Sequence, residues 1–350
     1  MSGTSIFLQS IRWLLAATFI ASAAFAQTQS ATLLVLAKSD NTVAIVDPAT
    51  LQVLARVAAG PDPHEIIASD DGKLAFISNY GGLDSALNTI SVVDLVARKA
   101  LPPIDLGALR STHGLAFAGG QLYFTAETNK VIGRYDPTSQ RVDWVLGTGQ
   151  DRTHMIAVSK TLDQIVTSNV NSGTISIIEH VSQANGGFGP ATGGPRMTWE
   201  VTNIPAGNGV EGFDVSRDGK EIWAANARDA TVSIVDVAAK KVIQTLPIPL
   251  KGANRLKFTA DGKRVLISGL GAGAGDVSLV VIDASARKEV KQLNLGGGAA
   301  GILIAPDGSR AYVAVSKNDR VAVVDLKTLE VVGQISAGKQ PDGLAWAVHK

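Results

Sequence analysis

Histidines are few in this 350-residue chain, five in all, and three of them recur in one local context. His64, His113 and His154 each stand at the head of a short apolar run, and Glu211 takes the same position in the run that follows. Neutral imidazoles and a carboxylate converging on one point are suitable ligands for Fe, Cu, Zn or Mn. Three histidines with one carboxylate leave coordination positions open for water or substrate, with Glu211 either a ligand or a general base. A bland role competes, in which each imidazole only hydrogen-bonds neighbouring loop carbonyls.

Such groups act together only if the chain brings them together, and the surrounding pattern supplies the means. From Gly60 to Asn79 the sequence reads as a hairpin: a loop with Pro63-His64, an apolar strand, an Asp70-Asp71-Gly72 turn, and a second strand from Leu74 to Ser78. Aligning on the turn sets Asp71-Gly72 beside Asp218-Gly219, Asp261-Gly262 and Asp307-Gly308, with degenerate versions at Gly119-Gly120 and Thr161-Leu162. The register of His64 then passes through His113, His154, Glu211, Asn254, Ala300 and Asp342, at intervals of about 41 to 57 residues, the range of four-stranded propeller blades. Third strands ending on an acidic residue follow at Thr89 to Asp94, Val232 to Asp236 and Val321 to Asp325.

The last repeat supplies only an innermost strand, Gly343 to Ala347, and its missing partners stand at the other end of the chain, in Leu33 to Ala37, Thr42 to Asp47 and Leu51 to Val57. The prediction is an all-β, seven-bladed β-propeller of four-stranded antiparallel blades, its last blade closed by N- and C-terminal strands so that no blade edge is left open. Residues 27–350 form this single domain. In a propeller the loops entering the innermost strands gather around the axis, so the seven equivalents of His64 are expected to ring a funnel there.

Residues 1–26 read as a cleaved signal peptide, with Arg12 the only charge, an apolar run from Trp13 to Phe25, and Ala24-Phe25-Ala26 as the cleavage site. The mature protein is then expected in the periplasm or outside the cell with no membrane span after cleavage; a membrane anchor competes, but the run is short for a bilayer span and ends in small residues. Removing Arg12 from 32 basic and 31 acidic residues leaves the mature chain neutral, so no global charge recruits nucleic acid. The absence of cysteine excludes disulfides, thiolate metal sites and covalently attached c-type haem. A Gly-rich stretch at Gly207 to Gly212 has dinucleotide-loop spacing, but a strand follows where a helix is required.

The second strands read Phe76-Ile77-Ser78-Asn79, Val166-Thr167-Ser168-Asn169, Trp223-Ala224-Ala225-Asn226, Leu266-Ile267-Ser268-Gly269 and Tyr312-Val313-Ala314-Val315. On these tetrapeptides the chain, over residues 31–350, resembles the YVTN-repeat propellers, a group that also resembles the propeller domains of cytochrome d1 nitrite reductase and nitrous oxide reductase. The resemblance implies the fold and leaves the function open. A binding protein holding a small ligand, a metal or a protein segment in its axial funnel leads; a metal-dependent enzyme or metal-handling protein is the alternative. Likeness to propeller lactonases and cycloisomerases implies a further one, with His154 and Glu211 as acid and base and Arg255 holding a carboxylate.

Two long loops, Tyr80 to Leu87 and Leu270 to Asp276, are expected to overhang the histidine face. Candidate ligand-binding residues are therefore Asn79, Tyr80, Asn169, Asn226, Asn254, Arg255 and Asp342, the asparagines having strand termination as a competing role. The Gly- and Pro-rich insertion from Val181 to Pro195 is expected on the opposite face, as a partner-docking or functionless loop. The protein is expected to be a monomer.

Overall fold

Short apolar strands, punctuated by turns whose geometry is written into the sequence, build seven separate four-stranded sheets in the computed structural model, which describes residues 31–81, 85–183 and 196–349 together with Met1. Blade 1 comprises Pro63–Ala68, Leu74–Asn79, Thr89–Asp94 and Lys99–Asp105; blade 2 Thr112–Ala118, Gln121–Ala126, Val131–Asp136 and Arg141–Gly147. Blade 3 is Thr153–Val158, Gln164–Asn169, Thr174–Gln183 and Arg196–Pro205; blade 4 Val210–Val215, Glu221–Asn226, Thr231–Asp236 and Lys241–Pro247. Blade 5 is Ala253–Phe258, Arg264–Gly269, Leu279–Asp283 and Lys288–Leu293; blade 6 Ile302–Ile304, Arg310–Val315, Arg320–Asp325 and Glu330–Ile335. Blade 7 places Pro341–Val348 beside Ala31–Ala37, then Thr42–Val46 and Val53–Ala58. Leu33 pairs with Trp346 and Val35 with Leu344, closing the ring as the sequence predicts. The expected signal segment and most of the Val181 to Pro195 insertion lie outside the described residues.

The inner hairpin turns repeat one device. In blade 1, Asp71 accepts hydrogen bonds from the Ser69 hydroxyl and the Lys73 amide, and Gly72 takes φ +69°, where a Cβ would stand 2.5 Å from the Val348 carbonyl. Asp218 and Asp261 do the same in blades 4 and 5. A second aspartate, at the end of the third strand, caps the turn into the fourth: Asp94, Asp236 and Asp325 each accept from backbone amides two or three residues on.

Core packing lies between blades. Trp223 and Val232 of blade 4 meet Leu256, Val265 and Val280 of blade 5, while Leu33 and Val35 of blade 7 meet Tyr312 and Val323 of blade 6. Fully burying each such Val or Leu contributes roughly 1.5–3 kcal/mol. The blades are thereby locked side by side, with their inner strands nearest the axis.

Those inner strands are irregular at one shared place. In blade 1 the pairing runs Pro63 with Asn79, then Ile66 with Ile77, so His64 and Glu65 together oppose a single residue. The same β-bulge falls at His113, His154, Glu211 and Asn254 in blades 2 to 5 and at Asp342 in blade 7. A bulge bends its strand and re-aims side chains. It is the device that carries the predicted ring register onto the axis.

Candidate functional site

All seven residues of the predicted register, His64, His113, His154, Glu211, Asn254, Ala300 and Asp342, line one cavity of about 310 Å³ on the axis. Arg152, Arg255, Lys38 and Lys317 line it as well. The bulges are pinned by hydroxyls from the second strands. Thr125 accepts from the Gly114 amide and donates to the His154 carbonyl of the next blade; Ser168 accepts from the Met155 amide and donates to the Glu211 carbonyl. Ser268 links Arg255 to the Ala300 carbonyl in the same way. In blades 2, 3 and 5 the third tetrapeptide position thus fastens the inner strand to the ring residue of the next blade.

His154 is the centre of one charged cluster. It is 1% exposed, its Nδ1 lies 2.5 Å from Glu127 Oε1, and its Nε2 lies 3.0 Å from Glu211 Oε2. Burial opposes charge on this imidazole, but the carboxylates of Glu211 and Glu127 outweigh it and raise its pKa, so it donates from both nitrogens. Burial likewise opposes charge on Glu211, and His154, Arg152 and Arg255 overcome it, bringing its pKa down to about 2. Tyr80 donates its hydroxyl to Glu127 Oε2 at 2.7 Å. Burial and that carboxylate raise its pKa, so the phenol keeps its proton.

The histidines on either side behave differently. The His113 ring lies against that of His154, centroids 3.7 Å apart and planes tilted by 34°, and burial, aided by the neighbouring cations, lowers its pKa well below the ordinary value. It is neutral, and its buried Nδ1 has no hydrogen-bond partner among the described residues. Its Nε2 faces His64 Nδ1 at 3.2 Å. His64 in turn contacts Asp62 at 3.2 Å and lies 3.7 Å from Asp342, whose pKa burial raises.

Across the axis, Arg255 of blade 5 sends Nη2 to Glu65 of blade 1 at 2.5 Å, and its Nη1 to Asn254 at 3.2 Å. Glu65 and Arg255 each follow a ring residue, one step deeper along the inner strands. At the same step the other blades carry glycine or methionine. A Cβ at Gly114, Gly212, Gly301 or Gly343 would stand 2.2 to 2.6 Å from a backbone carbonyl of the adjoining blade.

Of the remaining residues predicted for binding, Asn254, Arg255 and Asp342 line the funnel, and Tyr80 stands beside it, its ring 4.9 Å from that of His64. Asn79, Asn169 and Asn226 are placed elsewhere. Each is buried inside its blade, where its amide donates to a pair of hydroxyls on the third strand: Thr89 and Ser91, Thr174 and Ser176, Thr231 and Ser233. Leu270, from the second long loop, reaches the funnel, whereas residues 82–84 of the first lie outside the described residues.

As arranged, the four residues expected to share a metal line one cavity, with both His154 nitrogens facing carboxylates and His113 Nε2 facing His64. Among the described residues no group of three or more His, Asp or Glu is placed to hold a metal ion. His154 and Glu211, the expected acid and base, are in contact but are held as an ion pair.

Sequence reasoning missed Lys38, Glu65, Glu127 and Arg152. A signal existed for three of them. Lys38 and Glu127 share the register of Tyr80, directly after the second strand, and Arg152 shares that of Asp62 and Gln340, two residues before the ring. Arg152 adopts φ +58°, Asp62 and Gln340 φ +48°, where blades 4 and 5 place Gly209 and Gly252.

No protein-family model and no curated protein matches the chain. Solved structures do. Hydrazine synthase of Kuenenia stuttgartiensis is similar over 81% of this chain and 89% of its own, at 17% identity and a TM-score of 0.64. A functionally unknown protein from Desulfotomaculum acetoxidans is similar over 91% and 99%, at 12% identity and a TM-score of 0.71. Dihydro-heme d1 dehydrogenase NirN, in complex with DHE, is similar over 89% and 74%, at 15% identity and a TM-score of 0.62. Among the described residues no helix is long and apolar enough to cross a membrane. The likeness is one of fold, and it agrees with the architecture built above: the chain is a seven-bladed β-propeller of four-stranded antiparallel blades.

Proposed function

We propose that this protein is a binding propeller that takes a small polar ligand in its axial funnel, and that it works in the periplasm or outside the cell. The observation that carries the reading is the convergence of all seven ring positions on one cavity of about 310 Å³. That volume lies at the lower end of small-molecule sites, and a few convergent polar groups on a rigid frame are what such sites use for orientation. The ion pairs around His154 and Arg255 favour binding over catalysis. They commit to one another the side chains that acid–base chemistry would need free to meet a substrate. The amino-terminal sequence read as an export signal supports the location.

Native mass spectrometry of protein purified without a tag from its own compartment, beside a His64→Ala/Asp342→Ala variant, tests the reading. A co-purifying small molecule absent from the variant is the expected result. Elemental analysis of the same samples provides the metal arm: a stoichiometric metal lost with His64 and Asp342 would replace the small-ligand reading with a metal-handling one. Absence of either from wild type, followed by failure of a broad ligand panel to raise its Tm, would end it.

A further inference from the structure

Arg152 belongs to two cavities. Among the described residues it alone lines both the axial funnel and a neighbouring groove of about 440 Å³, whose walls include Tyr80, Ala86, Ser111, Glu127 and Thr128. We infer that funnel and groove are two parts of one site for an organic carboxylate, with the Arg152 guanidinium at their junction holding the carboxylate and the groove taking the remainder of a larger ligand. This rests on the reading of the funnel as a binding site.

The hydrogen bonding around Arg152 singles it out. Its Nε stands 3.5 Å from Glu127 and its Nη1 3.6 Å from Glu211, both beyond a good hydrogen bond, and the buried Nε has no hydrogen-bond partner among the described residues. The two carboxylates are committed elsewhere: Glu127 to His154 and Tyr80, Glu211 to His154. Arg255, the other guanidinium of the funnel, is occupied by Glu65 and Asn254. Arg152 therefore retains a donor face that a planar carboxylate satisfies in bidentate fashion.

The partition that Arg152 forms is also partly exposed. Its side chain is 33% exposed, against 6% for Glu127 and 2% for His154. Glu127 and Glu211 set the charge of the ligand. A monoanionic carboxylate exchanges weak contacts for a strong one, whereas a phosphate dianion would bring a second negative charge against two carboxylates. Opposite, on blade 6, Lys317 lines the funnel without an ion pair among the described residues, so the far wall also tolerates an anion.

The test is isothermal titration of the mature protein with a panel of carboxylates of increasing size, from acetate through succinate and benzoate to larger aryl acids, beside their amides and inorganic phosphate. The expected result is binding of carboxylates over amides and phosphate. Affinity should fall tenfold or more in Arg152→Gln and in Arg152→Gly, the second keeping the left-handed backbone free of strain. Ala86→Trp, which fills the groove, should weaken the larger acids and spare acetate. Equal binding of amides, preference for phosphate, or indifference to either Arg152 variant would overturn the assignment, and indifference of the larger acids to Ala86→Trp would remove the groove from it. A ligand lost with His64 and Asp342 but not with Arg152 sinks this inference and leaves the binding funnel standing; no ligand of any class sinks both.

Discussion

Arg255 donates to Glu65 across the propeller axis, its Nη2 and Nε lying 2.5 Å and 3.2 Å from the same carboxylate oxygen. Blades 1 and 5 lie on opposite sides of the ring, so this pair ties together inner strands that share no hydrogen-bonded ladder. The side chains are 9% and 15% exposed. Removing one partner strands a buried charge, and Glu65→Leu or Arg255→Leu alone is expected to destabilise by about 3–5 kcal/mol. The double variant Glu65→Leu/Arg255→Leu should recover much of that loss. Equilibrium denaturation in urea measures all three, and additive losses would show that the pair is not coupled.

The adjoining imidazoles of His113 and His154 predict two opposed pH dependences. His154 has its pKa raised above 6.5, so its stabilisation is complete below about 6.5 and is lost as pH rises through the folded value. His113 has its pKa lowered, so below 6.5 the unfolded chain takes up a proton that the folded chain refuses, and stability falls. Tm profiles should therefore show the advantage of wild type over His154→Gln shrinking as pH rises above 6.5. His113→Gln should gain on wild type as pH falls below it.

Glu211 adds the acid limb. Its pKa falls from 4.5 to about 2, so its contribution is full above 4.5 and disappears as pH approaches 2. Glu211→Gln should flatten the stability profile between those values, and a profile as steep as that of wild type would show that Glu211 does not carry it.

The hydroxyl staples predict a loss of stability without any loss of apolar burial. Thr125→Val keeps the side-chain shape but leaves the buried Gly114 amide without its acceptor and the His154 carbonyl without its donor. The expected cost is about 1–3 kcal/mol by chemical denaturation. The imidazole NMR signals of His154 should shift as well, which a remote packing defect would not produce.

Most of the architecture was legible because it is written in local devices. Asp71-Gly72 and its repeats mark hairpins, the acidic ends of the third strands mark the next turns, and the half-blades at the two ends announce closure. The ring was legible for the same reason, since a fixed offset from a turn is a position in space once the repeat is known. What escaped the sequence was everything that joins different blades. Glu127 reaches His154 over 27 residues and Arg255 reaches Glu65 over 190, and neither pairing leaves a periodic trace. The buried asparagines escaped for the opposite reason. Asn79, Asn169 and Asn226 look like loop-facing polar residues, and only the register of the third strand shows that Ser91, Ser176 and Ser233 wait for them.

The bulges divide the inner strands into two independent vocabularies. Residues on the regular part of each ladder determine register and inter-blade packing, whereas in six of the seven blades the ring residue and its successor sit where the ladder is already broken. Exchanging His64 or Asn254 for another side chain thus leaves strand pairing untouched, and the seven blades can keep one scaffold while the lumen is rewritten position by position. Such a molecule can change what it recognises without relearning how to fold.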